Sequence, residues 1–558
     1  MTAFSALTSK LLHALVYPLL ASAVAYASLY ALRIGSRGKD LPPGPPTIPI
    51  LGNSHIFPTR RLHIQFAEWA KTYGDIISLK IFQMTIIVLH SPSGVREIID
   101  KRSLSSSNRP LSIISEMIIA ENMNLGSGRF ANETWRTLRK AVAQLLSPEN
   151  FKQFEECVHA EASQLMWDLS RDPEAWYHHI HRFTTSFATT ITYGRRSPCI
   201  TSPDVAEFLH VHPKFLAALD IGAFPPVDLF PPLKYVPESW AAWKHVVKEV
   251  RALHDKLYGR LLSAVQLRLE KGAANGSFME DMILNARKLG FVREEILMNL
   301  GAVVIQGSDT SSATLQNLVL CLVAFPEAQR KARQEIDNVI GVNRTPNPAD
   351  IQDLPYTRAL IEECSRFHSV GPLGLPHAMT KDEVVDGVLI PKNAIVFMNI
   401  WGMFHDPRYF DRPNDFMPER FLLNQFGIKP GVEDDAGRRA NLMFGGGRRI
   451  CPGVAFARAS LEINAMNFIW AFEFLPALDP ATGQEVPPNM EDYSHGITAA
   501  RAETAIRIKP RSKKHVDLLT RQFAEAGRTL SRFEAELTDE DREFNMKWRR
   551  SADENVDG

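Results

Sequence analysis

One short loop carries the richest chemistry in this sequence: Phe444-Gly-Gly-Gly-Arg-Arg-Ile-Cys451-Pro-Gly453. Three consecutive glycines permit a tight turn and let backbone approach something flat or bulky. Arg448 and Arg449 place positive charge beside Cys451, which favours its thiolate. Pro452 and Gly453 leave a backbone that can aim N–H groups at the sulfur. A cysteine in such surroundings can ligate iron or attack a carbonyl. The loop is not a nucleotide-binding P-loop, because no Gly-Lys-Ser/Thr follows the glycines. Nor is it a dinucleotide G-x-G-x-x-G, whose third glycine would fall on Ile450.

Other polar residues stand at helical spacings. Leu297 to Phe325 carries one formal charge, Asp309, within Gln306-Gly-Ser-Asp-Thr-Ser-Ser312. That polar cluster argues against a membrane span and for a long buried helix with a functional break. Gly307 weakens the helix locally, and the Thr310 hydroxyl is expected on the carbonyl of residue 306. Glu363 and Arg366 are three residues apart, so they share a helix face. Trp135 and Arg139 do so at a spacing of four. Pro376-His377 follows the Glu363 helix by about ten residues.

Taken together, these stretches resemble the cytochrome P-450 family, over about residues 41 to 510. Phe444, Gly447, Arg449, Cys451 and Gly453 meet its haem-binding signature. Glu363-Cys-Ser-Arg366 matches its E-x-x-R element, and Pro418-Glu-Arg420-Phe421 matches its Pro-Glu-Arg-Phe segment. The resemblance implies a mainly α fold with small β-sheets, with haem held between a long central helix and the cysteine loop. It makes the Cys451 thiolate the axial iron ligand, which favours O–O cleavage. It gives Arg449, Trp135, Arg139 and His377 to the haem propionates and packs Phe444 beside the ligand loop. It joins Glu363, Arg366 and Arg420 in a buried triad. Thr310 and Asp309 become the proton-delivery pair. Gln306 departs from the family pattern, where Ala or Gly is usual, and is read as orienting substrate.

The reaction so implied is insertion of one oxygen atom from O2 into a C–H bond, or epoxidation. Electrons come from NADPH through a separate NADPH-cytochrome P-450 reductase, with cytochrome b5 as a further partner. Arg448 and Lys140 are candidate docking residues. Leu111–Met123, Val370–Leu375 (with Leu373 a pocket residue) and Ser494–Thr498 resemble substrate-contact regions. Their apolar character suits a lipophilic small molecule. The context of Gly374-Leu-Pro-His377 and Asn399-Ile-Trp-Gly402 looks most like fungal members that tailor secondary metabolites. The alternatives are a haem-thiolate isomerase or dehydratase working without O2, a non-catalytic haem-binding sensor or carrier, and a non-haem cysteine enzyme. The Asp309-Thr310 pair argues against the first two.

The elements that must position these residues follow from the pattern. Leu11–Leu32 is free of formal charge and, at ~1.5 Å per residue, reaches about 33 Å, enough for a bilayer core of roughly 30 Å. Arg33, Arg37 and Lys39 follow it, against Lys10 before it. The positive-inside rule then keeps the body cytosolic. This predicts a single-pass anchor, with its flank over 1–40, in the endoplasmic reticulum membrane. Leu41-Pro-Pro-Gly-Pro-Pro46 is a stiff, non-helical spacer. A helix is expected over 62–74, a hairpin over 76–89, further strand over 384–400, and mostly helix from 131 to 345. The loop Phe224–Leu233 could dip into a bilayer surface. The catalytic body runs over 41–510. Residues 511–558 form a charged tail in which Leu519, Phe523, Ala526, Leu530, Phe533 and Leu537 recur at steps of four and three. It reads as a solvated helical extension without catalytic role, with packing on the body or a partner as the alternative.

Composition sets outer bounds. The 558 residues are 45% hydrophobic and 23% charged, with 63 basic and 63 acidic side chains. That is ordinary globular usage, and no basic field points to nucleic acid. Five cysteines without a C-x-x-C cannot make a disulfide framework or a zinc ribbon.

Overall fold

The computed structural model describes residues 2–220, 222–291, 293–432, 438–494 and 496–556, without the side chains of 2–15, 27, 31, 122 and 549–556. The chain opens with helix α1 (Thr2–Arg33), which absorbs Pro18. Tyr17, Leu20, Val24 and Tyr26 stand exposed along it. Among the described residues, no helix is long and apolar enough to cross a membrane. The apolar run Leu11–Leu32 lies partly on side chains outside the described set. After α1 the Pro-rich spacer is tied to the body: the Arg37 guanidinium donates to Gly44 O at 2.7 Å, Pro45 O at 2.7 Å and Ser78 O at 3.0 Å.

Helix α2 (Leu62–Tyr73) ends because Gly74 takes φ 94 and caps Ala70 O. The alternation of β-branched residues that follows folds as β1 (Ile76–Ile81) and β2 (Met84–Leu89), joined at Phe82 with φ 51. Helices α3 (Glu133–Leu145), α4 (Pro148–Arg171), α5 (Trp176–Tyr193), α6 (Pro203–Leu219) and α7 (Ala242–Glu270) build the larger lobe. Asn132 and Ser147 cap α3 and α4 with side-chain oxygens.

The central helix is two pieces, α8 (Glu294–Gln306) and α9 (Ser308–Ala324). At the junction Gly307 N–H bonds Val304 O, three residues back, at 3.2 Å. A Cβ on Gly307 would lie 3.1 Å from that carbonyl, so the tightened turn favours glycine. Helices α10 (Pro326–Val339) and α11 (Pro355–Phe367) follow. Next come β3 (His377–Ala378), the hairpin of β4 (Glu383–Val385) and β5 (Val388–Ile390), and β6 (Ile395–Met398). The first sheet runs β1-β2-β6-β3, with β2 and β6 parallel and His377 opposite Val396. Helix α12 (Val454–Ala471) leads from the cysteine loop into β7 (Phe472–Leu478). This strand pairs with β8 (Glu485–Val486) and β9 (Ile506–Pro510) in a sheet the sequence pattern did not announce. The largest apolar cluster lies around α5, α9 and α12, with Phe183, Leu318 and Phe468 fully buried, and smaller clusters lie under the first sheet and the tail.

The tail is not a solvated extension. Helix α13 (Lys513–Leu530) lies along α4 and buries Leu519, Phe523 and Leu530. Phe533 and Leu537 continue that buried face. Helix α14 (Asp539–Val556) returns to stack Trp548 on Phe523, ring centroids 3.9 Å apart. Burying each such side chain stabilises by ~1.5–3 kcal/mol. The charged face is also engaged: Arg196, on the loop after α5, pairs with Glu161 at 3.2 Å and with Glu534 of the tail at 2.7 Å. Arg268 pairs with Glu280 at 2.7 Å and Glu536 at 2.9 Å, and Arg195 also reaches Glu536. An amphipathic face of this width thus meets both apolar and ionic partners on the body.

Candidate functional site

A cavity of about 620 Å³ lies between the central helix and the cysteine loop, within the range of small-molecule sites. Gly307, Thr310 and Cys451 are accessible because they line it.

The cysteine loop is built by its glycines. Gly447 takes φ 55, and a Cβ there would lie 2.4 Å from Ile99 O, so only glycine fits. Gly447 N–H donates to Asp100 Oδ1 at 2.7 Å, pinning the loop. Cys451 N–H donates to Phe444 O at 2.9 Å, closing the turn, and Gly453 N–H points at Cys451 Sγ at 3.4 Å. Phe444, Cys451 and Gly453 all line the cavity. Burial pushes the Cys451 thiol up, and the Gly453 N–H and Arg139 oppose it. The expectation that Arg448 and Arg449 would hold the thiolate is therefore corrected. Arg448 is exposed over the Phe130 ring at 5.9 Å, and Arg449 points elsewhere.

Arg449 is buried, donating to Ser107 O at 2.7 Å, Leu125 O at 3.3 Å and Gly128 O at 2.5 Å. Its guanidinium lies 3.7 Å from the Trp135 ring centroid. The Trp135 N–H is already given to Leu125 O at 3.0 Å. On its ring face Trp135 carries Arg449. Arg139 lines the cavity and donates to Ile450 O, next to Cys451. His377 is buried on β3 with Nδ1 2.8 Å from Ser106 O. Burial, with Arg109 and Arg449 nearby, holds its pKa well below the usual imidazole value.

Arg109 was not singled out in the sequence. It lines the cavity and donates to Gly126 O at 2.8 Å, Leu375 O at 2.8 Å and Pro376 O at 2.9 Å. Burial and Arg139 lower its pKa to about 9; burial, Arg109 and Arg139 lower that of Arg449 to about 8. Among the described residues, none of the three arginines has a carboxylate partner. Three guanidiniums repelling one another at the edge of an apolar cavity, with a cysteine on its floor, are a donor set for a flat ligand with anionic substituents and a thiolate-seeking metal. The residues present fit haem.

Helix α9 supplies the opposite wall. Thr310 Oγ1 donates to Gly307 O at 3.1 Å, one residue nearer than the expected carbonyl of 306, because the junction is wound with i to i+3 bonds. Asp309 accepts from Thr498 Oγ1 at 3.5 Å, and burial raises its pKa to about 6. Gln306 lines the cavity and accepts from Asn124 Nδ2 at 3.1 Å. It also bonds the Tyr258 side chain. It thus meets neighbouring elements and the cavity at once. Leu373 does not reach the cavity. The turn at Gly374, φ 59, sends Leu373 into the cluster of Phe66 and Phe397, while Val370 and Leu375 line the wall.

Beneath the site, Arg366 grips Glu363 through two hydrogen bonds of 2.7 and 2.8 Å, and Arg420 Nε lies 3.1 Å from the same carboxylate. All three are buried. Met417 N–H and the carbonyls of Phe404, Pro413 and Asp415 complete the network, which such burial requires.

The comparisons agree with this architecture. The family model for cytochrome P-450 matches residues 42–499. A cytochrome P-450 monooxygenase of Armillaria gallica is 42% identical over 91% of this chain and 96% of its own length. One from Penicillium expansum is 34% identical over 94% of this chain and 98% of its own. A zebrafish cytochrome P-450 solved with progesterone superposes with a TM-score of 0.65 at 21% identity, over 80% of this chain and 99% of its own. The chain belongs to the cytochrome P-450 family. It is a haem-thiolate monooxygenase, an oxidoreductase that incorporates oxygen from O2, and the family implies haem.

Proposed function

We propose that this chain hydroxylates or epoxidises a lipophilic small molecule in fungal secondary metabolism, with electrons from NADPH through a separate reductase. The observation that carries the reading is the apolar cavity floored by Cys451 and edged by three arginines that have no carboxylate partner among the described residues. Haem held there by Cys451 supplies the chemistry of oxygen activation. Arg109, Arg139 and Arg449, with His377, hold its anionic edge, and Trp135 keeps Arg449 in place. Thr310 and Asp309 pass protons into the cavity; a carboxyl near pKa 6 exchanges its proton readily close to neutral pH. Gln306 orients substrate from the junction of the central helix. The fungal relatives support the biosynthetic setting, and the zebrafish protein with progesterone supports a lipophilic ligand.

The same reading gives α1 the role of a single-pass anchor in the endoplasmic reticulum membrane, with the body in the cytosol. Its exposed Tyr17, Leu20 and Val24 support this, as do Tyr235 and Trp240, exposed near the apolar loop after α6. Exposed Lys140 and Arg448 offer charge to a reductase or cytochrome b5.

The test is the reduced carbon-monoxide spectrum of the microsomal protein and of Cys451→Ala, followed by turnover of the intermediate that accumulates when the gene is deleted. The wild type gives the red-shifted Soret band of a thiolate ligand and the variant loses it. A wild-type protein without that band sinks the reading.

A further inference from the structure

Helix α6 carries a stack of three rings. His212 lies 4.9 Å from Phe208 at an interplanar angle of 15° and 6.2 Å from Phe215 at 28°. It is only 5% exposed, yet it lines the cavity. The stack fixes the imidazole plane, so the directions of its two nitrogens are set. Nε2 points at Asp309, 3.9 Å from Oδ2, too far for a direct hydrogen bond. Nδ1 is sealed from the cavity with no hydrogen-bond partner among the described residues.

The protonation of the ring follows. Burial, then His181 and His254, pull its pKa to about 4, so the ring is neutral at physiological pH. A neutral ring carries one proton. On Nδ1 it would leave a buried donor unpaired and turn the Nε2 lone pair on a carboxylate. Buried orphan donors are rarer than orphan acceptors, so the proton belongs on Nε2. The apolar wall beside α9 therefore presents one N–H donor from His212 and one carboxylate acceptor from Asp309, whose Oδ2, the oxygen His212 faces, also takes a long contact of 3.5 Å from Thr498 Oγ1. Donor and acceptor do not satisfy each other across 3.9 Å. Two hydrogen bonds of about 2.8 Å meeting at one oxygen span a gap of that order. A hydroxyl, which accepts and donates at once, fits it; a hydrocarbon leaves the His212 N–H unpaired and Asp309 with only the long Thr498 contact.

We propose that His212 is a specificity-determining residue which, opposite Asp309, holds a hydroxyl group of an otherwise apolar substrate. The substrate would then be a lipophilic alcohol rather than a bare hydrocarbon. Its hydroxyl is of the kind an earlier oxidation, hydration or ketone reduction supplies. The proposal rests on the cavity being the substrate chamber of a haem protein.

The test uses the holoenzyme and imidazoles bearing straight N-alkyl chains from butyl to dodecyl, ending in methyl or in hydroxyl. The imidazole ligates iron and shifts the Soret band, so the end group probes the cavity wall from a fixed anchor. The expected result is a preference for hydroxyl over methyl that peaks at one chain length. That preference falls roughly tenfold in His212→Phe, which keeps the stack and removes the donor. The methyl series binds both proteins alike. His212→Gln, whose amide nitrogen stands where Nε2 stood, restores most of the preference. His212→Asn, too short to do so, repeats the loss if the Phe variant does not fold. A hydroxyl preference unchanged in His212→Phe and His212→Asn, or absent at every length in the wild type, overturns the proposal and leaves the haem reading standing. No Soret shift with any member overturns the haem reading and the proposal with it.

Discussion

Replacing Asp309 by Asn tests the buried carboxyl directly. Burial raises its pKa from 3.8 to about 6 in the folded protein, against a smaller opposing effect of Thr498. The folded state therefore binds this proton more tightly than the unfolded chain does. Stability from this group is full below the unfolded pKa and is lost as pH rises through the folded one. At ~1.36 kcal/mol per pKa unit, the ionised carboxylate costs the fold about 3 kcal/mol at roughly pH 8, and about half that at roughly pH 5. Asn is neutral at both and close to isosteric with the protonated acid. Over the 458 residues 42–499 of the family match, an unfolding entropy of about 2.1 cal/mol/K per residue makes 3 kcal/mol worth about 3 °C in Tm. Asp309→Asn should thus melt about 3 °C above wild type at roughly pH 8, with a gap that narrows towards pH 5. Its turnover should nevertheless fall by about 100-fold, since the amide cannot relay a proton. Matched thermal scans of holoprotein across pH, beside product formation with reductase, provide both readouts. A variant less stable than wild type at the higher pH, or a gap that does not change with pH, would refute the reasoning about Asp309.

Three further perturbations follow from the same geometry. Glu363→Gln leaves Arg366 and Arg420 buried without a countercharge, which should cost about 3–5 kcal/mol, read as lost haem content and a lower Tm. The pair Glu534→Ala and Glu536→Ala strips the tail charges from Arg195, Arg196 and Arg268; Tm should drop by several degrees while the carbon-monoxide spectrum keeps its shape. Gln306→Ala removes the partner of Asn124 and Tyr258 at the cavity wall and should change product regiochemistry, seen by chromatography; an unchanged product ratio sinks the assignment of Gln306 to substrate.

What could be read from the sequence was local. The cysteine loop, the polar interruption in the central helix and the Glu363–Arg366 pair are each set within a few residues, where spacing determines geometry. The hairpin over 76–89 and the helix ending at Gly74 were legible for the same reason. The rest depends on distant segments. Arg109 looks like any surface arginine until Gly126, Leu375 and Pro376 close around it. His212 sits on a helix whose apolar pattern gives no hint that Asp309 faces it. Trp135 shares a helix face with Arg139, but only the fold shows that its N–H is spent on Leu125 O. Strands β7 and β9 are separated by a long irregular stretch, so no hairpin signal marks them. The tail's stripe was visible; what covers it was not, because α4 lies more than three hundred residues away.

The pairing of Arg196 with Glu534 has a consequence in time. The two positions are 338 residues apart. At about 5–20 residues per second, a ribosome needs roughly 20–70 s to pass from one to the other. For that interval Arg196 and Arg268 of the nascent large lobe have Glu161 and Glu280 but lack the tail carboxylates that complete their pairing. A premature stop anywhere before residue 534 would make the wait permanent, even in a product that keeps every residue of the haem site. Early quality control of this enzyme should therefore be sensitive to lesions far downstream of its chemistry.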